Sequence, residues 1–151
     1  FELDYIAADG SKQRPIMIHR AIFGSLERFF GIMTENYAGD YPFWLAPEQV
    51  RLLPVTDEVQ PYAEQLLNQL TQAGVRATID RSGDRLGKLI RTGEQMKIPV
   101  LAVIGAKEAE QNAASLRSRR DGDLGVTSVA DLLSSAQMAN SQRAAGLELN
   151  R

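Results

Sequence analysis

The sequence predicts an α/β protein, in which helices cover a sheet that is at least partly parallel. From Val50 onward, short apolar segments that fit strands alternate with segments whose apolar residues recur every three or four positions, as in amphipathic helices. Residues 100–104 form an uninterrupted apolar run, which is typical of a central strand covered on both faces. Strands that alternate with helices favour parallel pairing through right-handed crossovers.

The part before this region has a different pattern, with two strands and one helix. Residues 1–6 and 14–19 fit strands, and the turn-rich residues 8–11 join them. The helix that follows has Ser25 as its predicted N-cap and Gly39 as its predicted stop. Its apolar residues form one stripe at helical spacing: Leu26, Phe29, Phe30, Met33 and Tyr37. Because a two-stranded ribbon is marginal in water, we expect this part to belong to a larger sheet.

A linker at residues 41–47 leads into a second domain, which we expect to begin near Ala46. The first strand of this domain is predicted at residues 50–55. Asp57 is the predicted cap of the next helix, and Gly74 is its predicted end. A second strand at 75–79 and a second helix at 84–97 then lead to the central strand.

The last third of the chain predicts an outer strand, a turn and a final helix. Residues 114–120 fit the strand, which turns back into a short partner near Leu124. Ser128 and Asp131 have the spacing of a capping box at the start of the helix. Periodicity is lost beyond Asn140, so the sequence predicts a disordered tail at residues 140–151.

Composition and charge narrow the possible classes of protein. Hydrophobic residues make up 44% of the 151 residues, which is enough for a core, and the absence of cysteine excludes a disulfide scaffold and fits the cytoplasm. No apolar run is long enough for a transmembrane helix, so no membrane partner is expected. The net charge is −2, yet residues 81–120 carry nine basic and four acidic side chains, or +5. Such a basic segment is typical of a protein that binds a polyanion such as a nucleic acid. Scattered solvated charges without a partner would give the same composition.

The stretch HRAIFGSLERFFG, residues 19–31, resembles motif 3 of class II aminoacyl-tRNA synthetases, in the wording of the threonyl-tRNA synthetase family. The flanks FELDYIAADGSKQRP and YAGDYPFWLAPEQVRLLPV are similar to the same family. The resemblance implies that residues 1–45 are the C-terminal end of a catalytic domain, a strand–strand–helix remnant of its antiparallel sheet. Motifs 1 and 2 are absent from this sequence, so we expect the chain alone to be inactive.

Three residues of this stretch match functional positions of the family. His19 matches a histidine that is one of three protein ligands of a catalytic zinc; this sequence has no cysteine and no second histidine, so the other ligands would come from outside it. Arg28 matches an arginine that contacts the ATP phosphates, and Ser25 matches a serine beside the bound amino acid. Arg20 is a weaker candidate for a supporting role. From the residues alone, a lone histidine at a strand end is more often structural.

The second half of the chain resembles the anticodon-binding domain of class II synthetases, which implies a mixed-sheet three-layer α/β domain at residues 46–139. The segment RSGDRLGKLIR occupies the place of a family pattern like RNEKIGxKIR. Gly87 and Arg91 match that pattern, Arg85 replaces a lysine, and Gly83 replaces an asparagine. Downstream, Glu108 and Arg117 match positions that read anticodon bases. The resemblance implies that the anticodon-binding residues are Arg85, Arg91, Glu108 and Arg117.

The preferred interpretation is the C-terminal part of a threonine–tRNA ligase, which activates threonine with ATP and magnesium and transfers it to threonine tRNA. The family resemblance implies a homodimer through the catalytic domain, with zinc and ATP bound there. The alternative is a non-catalytic RNA-binding or regulatory paralogue that retains the same domain. A synthetase of another amino-acid specificity is a weaker alternative, because a histidine directly before the motif 3 Arg-Ala is the threonyl wording.

Overall fold

The computed structural model describes residues 2–149, so the predictions made for residue 1 and for residues 150–151 lie outside the described residues. The chain divides into two compact units, one that ends at Met33 and one that begins at Thr34. The second unit therefore starts before the boundary predicted near Ala46. The fully buried side chain of Phe43 explains this, because it belongs to the main hydrophobic core of the second unit.

The first unit contains a short hairpin, in which β1 (Tyr5–Ile6) pairs antiparallel with β2 (Lys12–Gln13). The strand predicted at residues 14–19 is wrong, because this segment has no regular secondary structure and is exposed throughout. A strand needs a neighbour to satisfy its backbone groups, and no further strand of this unit lies beside it in the part of the chain that the structure describes. The apolar side chains of Ile16 and Ile18 are therefore largely exposed.

The helix predicted to follow is present as α1 (Leu26–Tyr37). The hydroxyl of Ser25 accepts a hydrogen bond from the backbone N–H of Arg28 at 3.3 Å, which confirms Ser25 as the cap. The predicted apolar stripe is present in the sequence of α1, but none of its described residues is buried. Leu26 and Phe30 are each more than half exposed. Helical spacing thus predicted the helix correctly, and the apolar stripe lacks a covering partner among the described residues.

The second unit is built on a five-stranded mixed sheet, which confirms the predicted fold class. Its strands lie in the spatial order β4 (Ala77–Ile79), β3 (Val50–Pro54), β5 (Val100–Ile104), β6 (Ala113–Ser118) and β7 (Gly122–Ser128). β3 is parallel to both β4 and β5, with Val50 opposite Ala77 and Val100. β6 is antiparallel to β5, and β7 is antiparallel to β6. The central strand β5 has the bounds that its apolar run predicts.

Helices cover both faces of this sheet. On one face, α2 (Gln60–Gln72) and α5 (Val129–Gln142) share a hydrophobic core with alternate residues of the strands, among them Leu52 and Ala102. On the other face, α3 (Leu86–Gln95) packs Leu89 against Leu53 and Leu101, which point the opposite way from the first core. A short helix α4 (Ala106–Glu110), which the sequence did not predict, follows β5.

Two predicted helix boundaries had different outcomes. Asp57 does not cap α2, because it begins a 3₁₀ turn (Asp57–Val59) and the α-helix starts only at Gln60. Ser128 does cap α5, since its hydroxyl accepts a hydrogen bond from the backbone N–H of Asp131 at 3.1 Å. The same hydroxyl donates to the Asp131 carboxylate at 2.6 Å, whereas a capping box requires that carboxylate to accept from the backbone N–H of Ser128, so the predicted box is present only in its Ser128 half.

The C-terminal residues differ from the predicted disordered tail. α5 continues to Gln142, and Arg143 then reverses the chain with a positive φ of 55°. The Ser135 hydroxyl donates to the carbonyl of Glu148 at 2.7 Å, and Leu147 packs against the main core. Residues 140–149 are therefore attached to the domain by a hydrogen bond and apolar contacts, which the loss of helical periodicity concealed.

Candidate nucleic-acid interface

A crevice of about 390 Å³ opens at the carboxyl ends of β3 and β4. The chain leaves β3 toward α2 on one face of the sheet and leaves β4 toward α3 on the other face, so the two connections diverge. Ligands of open α/β sheets bind in gaps of this kind. The lining is mainly polar and includes Thr56, Asp57, Gln60, Asp80, Gly83 and Asp84. This location marks the crevice as the candidate binding site of the second unit.

The loop between β4 and α3 forms one wall of the crevice. Oδ1 of Asp80 accepts hydrogen bonds from the backbone N–H of Ser82 at 3.0 Å and from the Ser82 hydroxyl at 2.7 Å. Gly83 follows with a positive φ of 71°, a conformation that glycine adopts without strain and that asparagine tolerates better than most residues. The replacement of a family asparagine by Gly83 is therefore compatible with the same backbone shape, although it removes an amide.

Arg85 and Arg91 lie on α3, directly beyond this loop. Arg85 is the exposed N-cap residue of the helix, and its carbonyl accepts hydrogen bonds from the backbone of Lys88 and Leu89. Arg91 is exposed near the middle of the helix. Neither guanidinium forms an ion pair with any residue between 2 and 149, whereas Lys88 pairs with Asp84 at 2.9 Å. Both arginines are thus available to a phosphate or a base.

Arg117 projects from β6 toward the same helix. Its Nε donates to Oε1 of Glu94 on α3 at 3.1 Å, and both side chains are about half exposed, at 44% and 45%. An exposed pair of this kind contributes little to stability. Glu94 instead fixes the direction of the Arg117 guanidinium, whose remaining N–H groups can meet a ligand.

Glu108 has a structural partner. Its Oε2 accepts a hydrogen bond from the backbone N–H of Gly105 at 3.0 Å and so caps α4. The side chain is half-buried just beyond the carboxyl end of β5. The geometry leaves Oε1 as the oxygen that could accept a hydrogen bond from a base amino group.

The four predicted anticodon-binding residues do not form one tight cluster. Arg117 pairs in register with Leu101, three residues before the carboxyl end of β5, which is about 10 Å at ordinary strand rise. Glu108 and the crevice lie at that carboxyl end. Arg85 is the N-cap of α3, and Arg91 lies near the middle of that helix. The structure therefore distributes the predicted residues over α3 and its N-cap, β6 and α4.

The predicted residues of the first unit are all exposed. His19 and Arg28 lie on the surface, and the Ser25 hydroxyl donates to Glu27 at 2.9 Å while it caps α1. Hydrogen bonds from its own backbone N–H and from Ser25 hold the pKa of Glu27 below its usual value. Arg20, the weaker candidate, is also exposed.

Residues 2–149 contain no group of three or more His, Cys, Asp or Glu side chains that could hold a metal ion. His19 therefore does not form a zinc site with other described residues of this chain, and the donor set does not fit a zinc ion without further ligands. Among the same residues, no helix has the length and apolar character needed to cross a membrane.

Two residues that shape the interface were missed by sequence reasoning. These residues are Asp80 and Ser82, and neither is a candidate in the sequence analysis. A signal for both was present, because an aspartate two residues before a serine and three before a glycine is typical of a turn built by the carboxylate.

This chain is similar in sequence to known anticodon-binding domains and to known threonine–tRNA ligases. A sequence model of the family described as "Anticodon binding domain" matches residues 49–137, which is more than half of the chain. The threonine–tRNA ligase of Synechococcus sp. (strain CC9605) is 95% identical over all 151 residues, and that of Synechocystis sp. (strain ATCC 27184 / PCC 6803 / Kazusa) is 60% identical over 137 residues. The chain spans 25% and 23% of these two relatives, or about a quarter of their length.

A solved structure has a similar fold. The RNA-binding domain of threonyl-tRNA synthetase from Cryptosporidium parvum Iowa II superimposes with a TM-score of 0.71 at 28% identity, over 91% of this chain and 33% of that one. The likeness therefore extends to most of the present chain.

Proposed function

The chain belongs to the anticodon-binding domain family, and we propose that it binds the anticodon stem-loop of threonine tRNA as the C-terminal part of a threonine–tRNA ligase. One observation carries the proposal: the matched domain contains a polar crevice at the carboxyl ends of β3 and β4, and the exposed cation Arg85 directly follows Asp84, which lines that crevice. Within this proposal, residues 46–139 are the RNA-binding domain and residues 1–45 are the end of a catalytic domain.

The chemistry of the surface suits single-stranded RNA. Arg85 and Arg91 have no carboxylate partner between residues 2 and 149, so they would contact phosphates or stack on unpaired bases. The fork of Arg117 can pair with the edge of a guanine while Glu94 holds its Nε. Oε1 of Glu108 would accept from an exocyclic amino group. Unpaired bases of an anticodon loop present all of these features.

The test is a comparison of a threonine-anticodon stem-loop with one of scrambled anticodon, at two salt concentrations. We expect the chain to prefer the threonine anticodon and Arg117→Ala to remove much of that preference. Arg14→Ala is the control, because Arg14 is an exposed cation of the first unit whose removal changes the net charge equally. Equal and strongly salt-dependent binding of both RNAs would instead favour the non-catalytic RNA-binding paralogue.

The whole ligase would activate threonine with ATP and magnesium and transfer it to threonine tRNA, as a homodimer in the cytoplasm. Arg28 would contact the ATP phosphates, and Ser25, whose hydroxyl caps α1, would lie beside the amino acid. Assay of this chain for ATP–pyrophosphate exchange with threonine should give no signal. Exchange by the purified chain would contradict the assignment of catalysis to residues outside it.

His19 would supply one ligand to a zinc ion in the whole ligase, with the remaining ligands from outside this chain. The exposure of its imidazole and the lack of a donor cluster among residues 2–149 predict weak binding here. Titration of this chain with zinc should therefore show no tight site. Stoichiometric tight binding that is lost in His19→Ala would contradict this division of the ligands.

A further inference from the structure

A continuous set of polar contacts runs from the interior of the sheet to the crevice. On β3, Nε and Nη2 of Arg51 donate to the two carboxylate oxygens of Glu48 at 2.8 and 2.7 Å. The third guanidinium nitrogen, Nη1, donates to Sδ of Met96 at 3.4 Å and lies 3.9 Å from Oδ2 of Asp80, the residue that follows β4. Arg51 is thus held rigidly by one carboxylate while it faces a second.

The contacts continue from Asp80 through the loop to α3. Oδ1 of Asp80 accepts from the backbone N–H and the hydroxyl of Ser82. The Ser82 hydroxyl in turn accepts from the backbone N–H of Asp84 at 3.4 Å, and the Asp84 carboxylate binds Lys88 on α3. Asp80, Ser82 and Asp84 therefore connect the loop to Lys88 on α3, three residues beyond Arg85.

Asp80 lines the crevice, but both of its carboxylate oxygens have protein partners, with Oδ1 bound by Ser82 and Oδ2 3.9 Å from Arg51. The side chains of Arg51 and Asp80 are only 11% and 12% exposed. A carboxylate beside a site for a polyanion repels the phosphates unless a nearby cation offsets its charge. Its presence at such a site therefore calls for a structural role. Arg51 offsets only part of this charge, because it is also paired with Glu48, and the Asp80 carboxylate forms the turn at Ser82.

We propose that Asp80, which lies beside Arg51, is a positioning residue that fixes the loop of residues 80–85 and so holds the backbone of Arg85, the N-cap of α3, next to the crevice for contact with an anticodon nucleotide. This inference rests on the proposed function. A loop that is already ordered loses less conformational freedom on binding than a mobile one. Removal of the Asp80 turn should therefore weaken RNA binding without the loss of a direct RNA contact.

The chain offers a closely matched control. In the first unit, Oδ1 of Asp9 accepts from the backbone N–H of Ser11 at 3.0 Å and from its hydroxyl at 2.7 Å, the same distances as at Asp80. Asp9 is exposed and belongs to a hairpin turn far along the sequence from the crevice. Asp80→Ala and Asp9→Ala thus remove the same charge and the same kind of turn.

Binding of the threonine-anticodon stem-loop should fall roughly tenfold in Asp80→Ala, because the loop must be ordered on binding. Asp9→Ala should bind as tightly as the unchanged chain or slightly more tightly, since it removes a negative charge. Asp80→Asn retains an oxygen acceptor for the turn and should recover most of the affinity. Affinity of Asp80→Ala equal to that of Asp9→Ala would overturn the inference.

Two further readouts separate positioning from a general loss of structure. Arg85→Ala should make the slope of log K against log salt shallower by about 0.7, whereas Asp80→Ala should leave that slope unchanged. The double variant Asp80→Ala/Arg85→Ala should bind no more weakly than Arg85→Ala alone, because Asp80 acts through Arg85. Additive losses would mean that Asp80 acts elsewhere and would refute the proposal. If Asp80→Ala does not fold, Ser82→Ala must show the same non-additivity with Arg85→Ala.

Failure of the inference can be told apart from failure of the proposed function. If Arg85→Ala and Arg117→Ala both weaken binding of the threonine anticodon while Asp80→Ala does not, only the positioning role is wrong. If the unchanged chain shows no preference between the two stem-loops, the proposed function itself is wrong.

Discussion

The contact between α3 and the sheet gives a sharp test of how the interface is supported. Gly93 is a buried residue of α3, and a Cβ added to it would lie 2.6 Å from Cδ2 and 3.0 Å from Cδ1 of Leu101. These distances are roughly 1 Å shorter than an ordinary carbon–carbon contact. Leu101 cannot move freely, because it is itself buried against Leu53, Leu89 and Ile98. Gly93→Ala must therefore shift α3 or force Leu101 from its rotamer.

Overpacking of this kind costs about 1–3 kcal/mol, while replacement of a helical glycine by alanine returns about 0.5–1 kcal/mol. We therefore expect Gly93→Ala to lower the free energy of unfolding by about 1–2 kcal/mol. Gly87→Ala is the matched control on the same helix, since nothing lies within 4 Å of its added Cβ. That variant should be neutral or more stable by up to about 1 kcal/mol.

Urea denaturation of the two variants and the unchanged chain measures the difference directly. The midpoint should fall for Gly93→Ala and stay or rise for Gly87→Ala. A rise in stability for Gly93→Ala would refute the close approach of α3 to β5. A shift of α3 also moves Glu94 away from Arg117, so Gly93→Ala should weaken binding of the threonine-anticodon stem-loop as well.

Three further predictions follow from buried or charged groups of the second unit. Gln49→Leu should destabilise the fold by about 2–4 kcal/mol in urea denaturation, because it leaves the Phe43 carbonyl and the Arg76 N–H without their side-chain partner. Ser128→Ala should cost about 1 kcal/mol through loss of the α5 cap, and Ser128→Asp should restore most of it in thermal denaturation. Partial burial raises the pKa of Asp80, but the hydrogen bonds of its turn and a nearby guanidinium outweigh it and hold the pKa below 3.8. The stabilisation is therefore complete above about pH 3.8 and is lost as the pH falls further, so acid titration should destabilise the unchanged chain more than Asp80→Asn.

An element could be predicted from the sequence when the interactions that form it lie within a few residues, and not when they join distant parts of the chain. The central strand (Val100–Ile104) and the Ser128 cap were predicted because an apolar run and an N-cap serine are both local features that a few residues define. The strand at 14–19 was wrong because strand formation needs a partner that sequence periodicity does not provide. The tail at 140–149 was misjudged since its attachment depends on a hydrogen bond between Ser135 and a distant carbonyl.

In the candidate site, too, single positions could be predicted from the sequence, whereas contacts between distant residues could not. The resemblance singled out Arg85 and Arg117 by matching positions, and the structure places both on the α3 side of the sheet. It could not reveal that Glu94 orients Arg117, because that contact joins a helix to a strand 23 residues away. The role inferred for Asp80 depends on Arg51, which lies in a different strand and is brought close only by parallel pairing.

The structure shows which cations of the basic segment at residues 81–120 already have partners within the protein. Five of its nine cations already have partners: Arg81, Lys88, Arg117 and Arg119 pair with carboxylates, and Lys97 donates to the carbonyl of Ala38. The other four form no ion pair between residues 2 and 149: Arg85, Arg91, Lys107 and Arg120. A paired cation gains less from a phosphate, because it must first give up or share its carboxylate.

The number of unpaired cations, rather than the net charge of the segment, should therefore set the salt dependence of RNA binding. Each phosphate neutralised on a single strand contributes about −0.7 to the slope of log K against log salt, so four free cations predict a slope of about −3. A slope near −6 would require all nine cations to reach phosphates, and would mean that the ion pairs to Glu94 and Asp84 open when RNA binds.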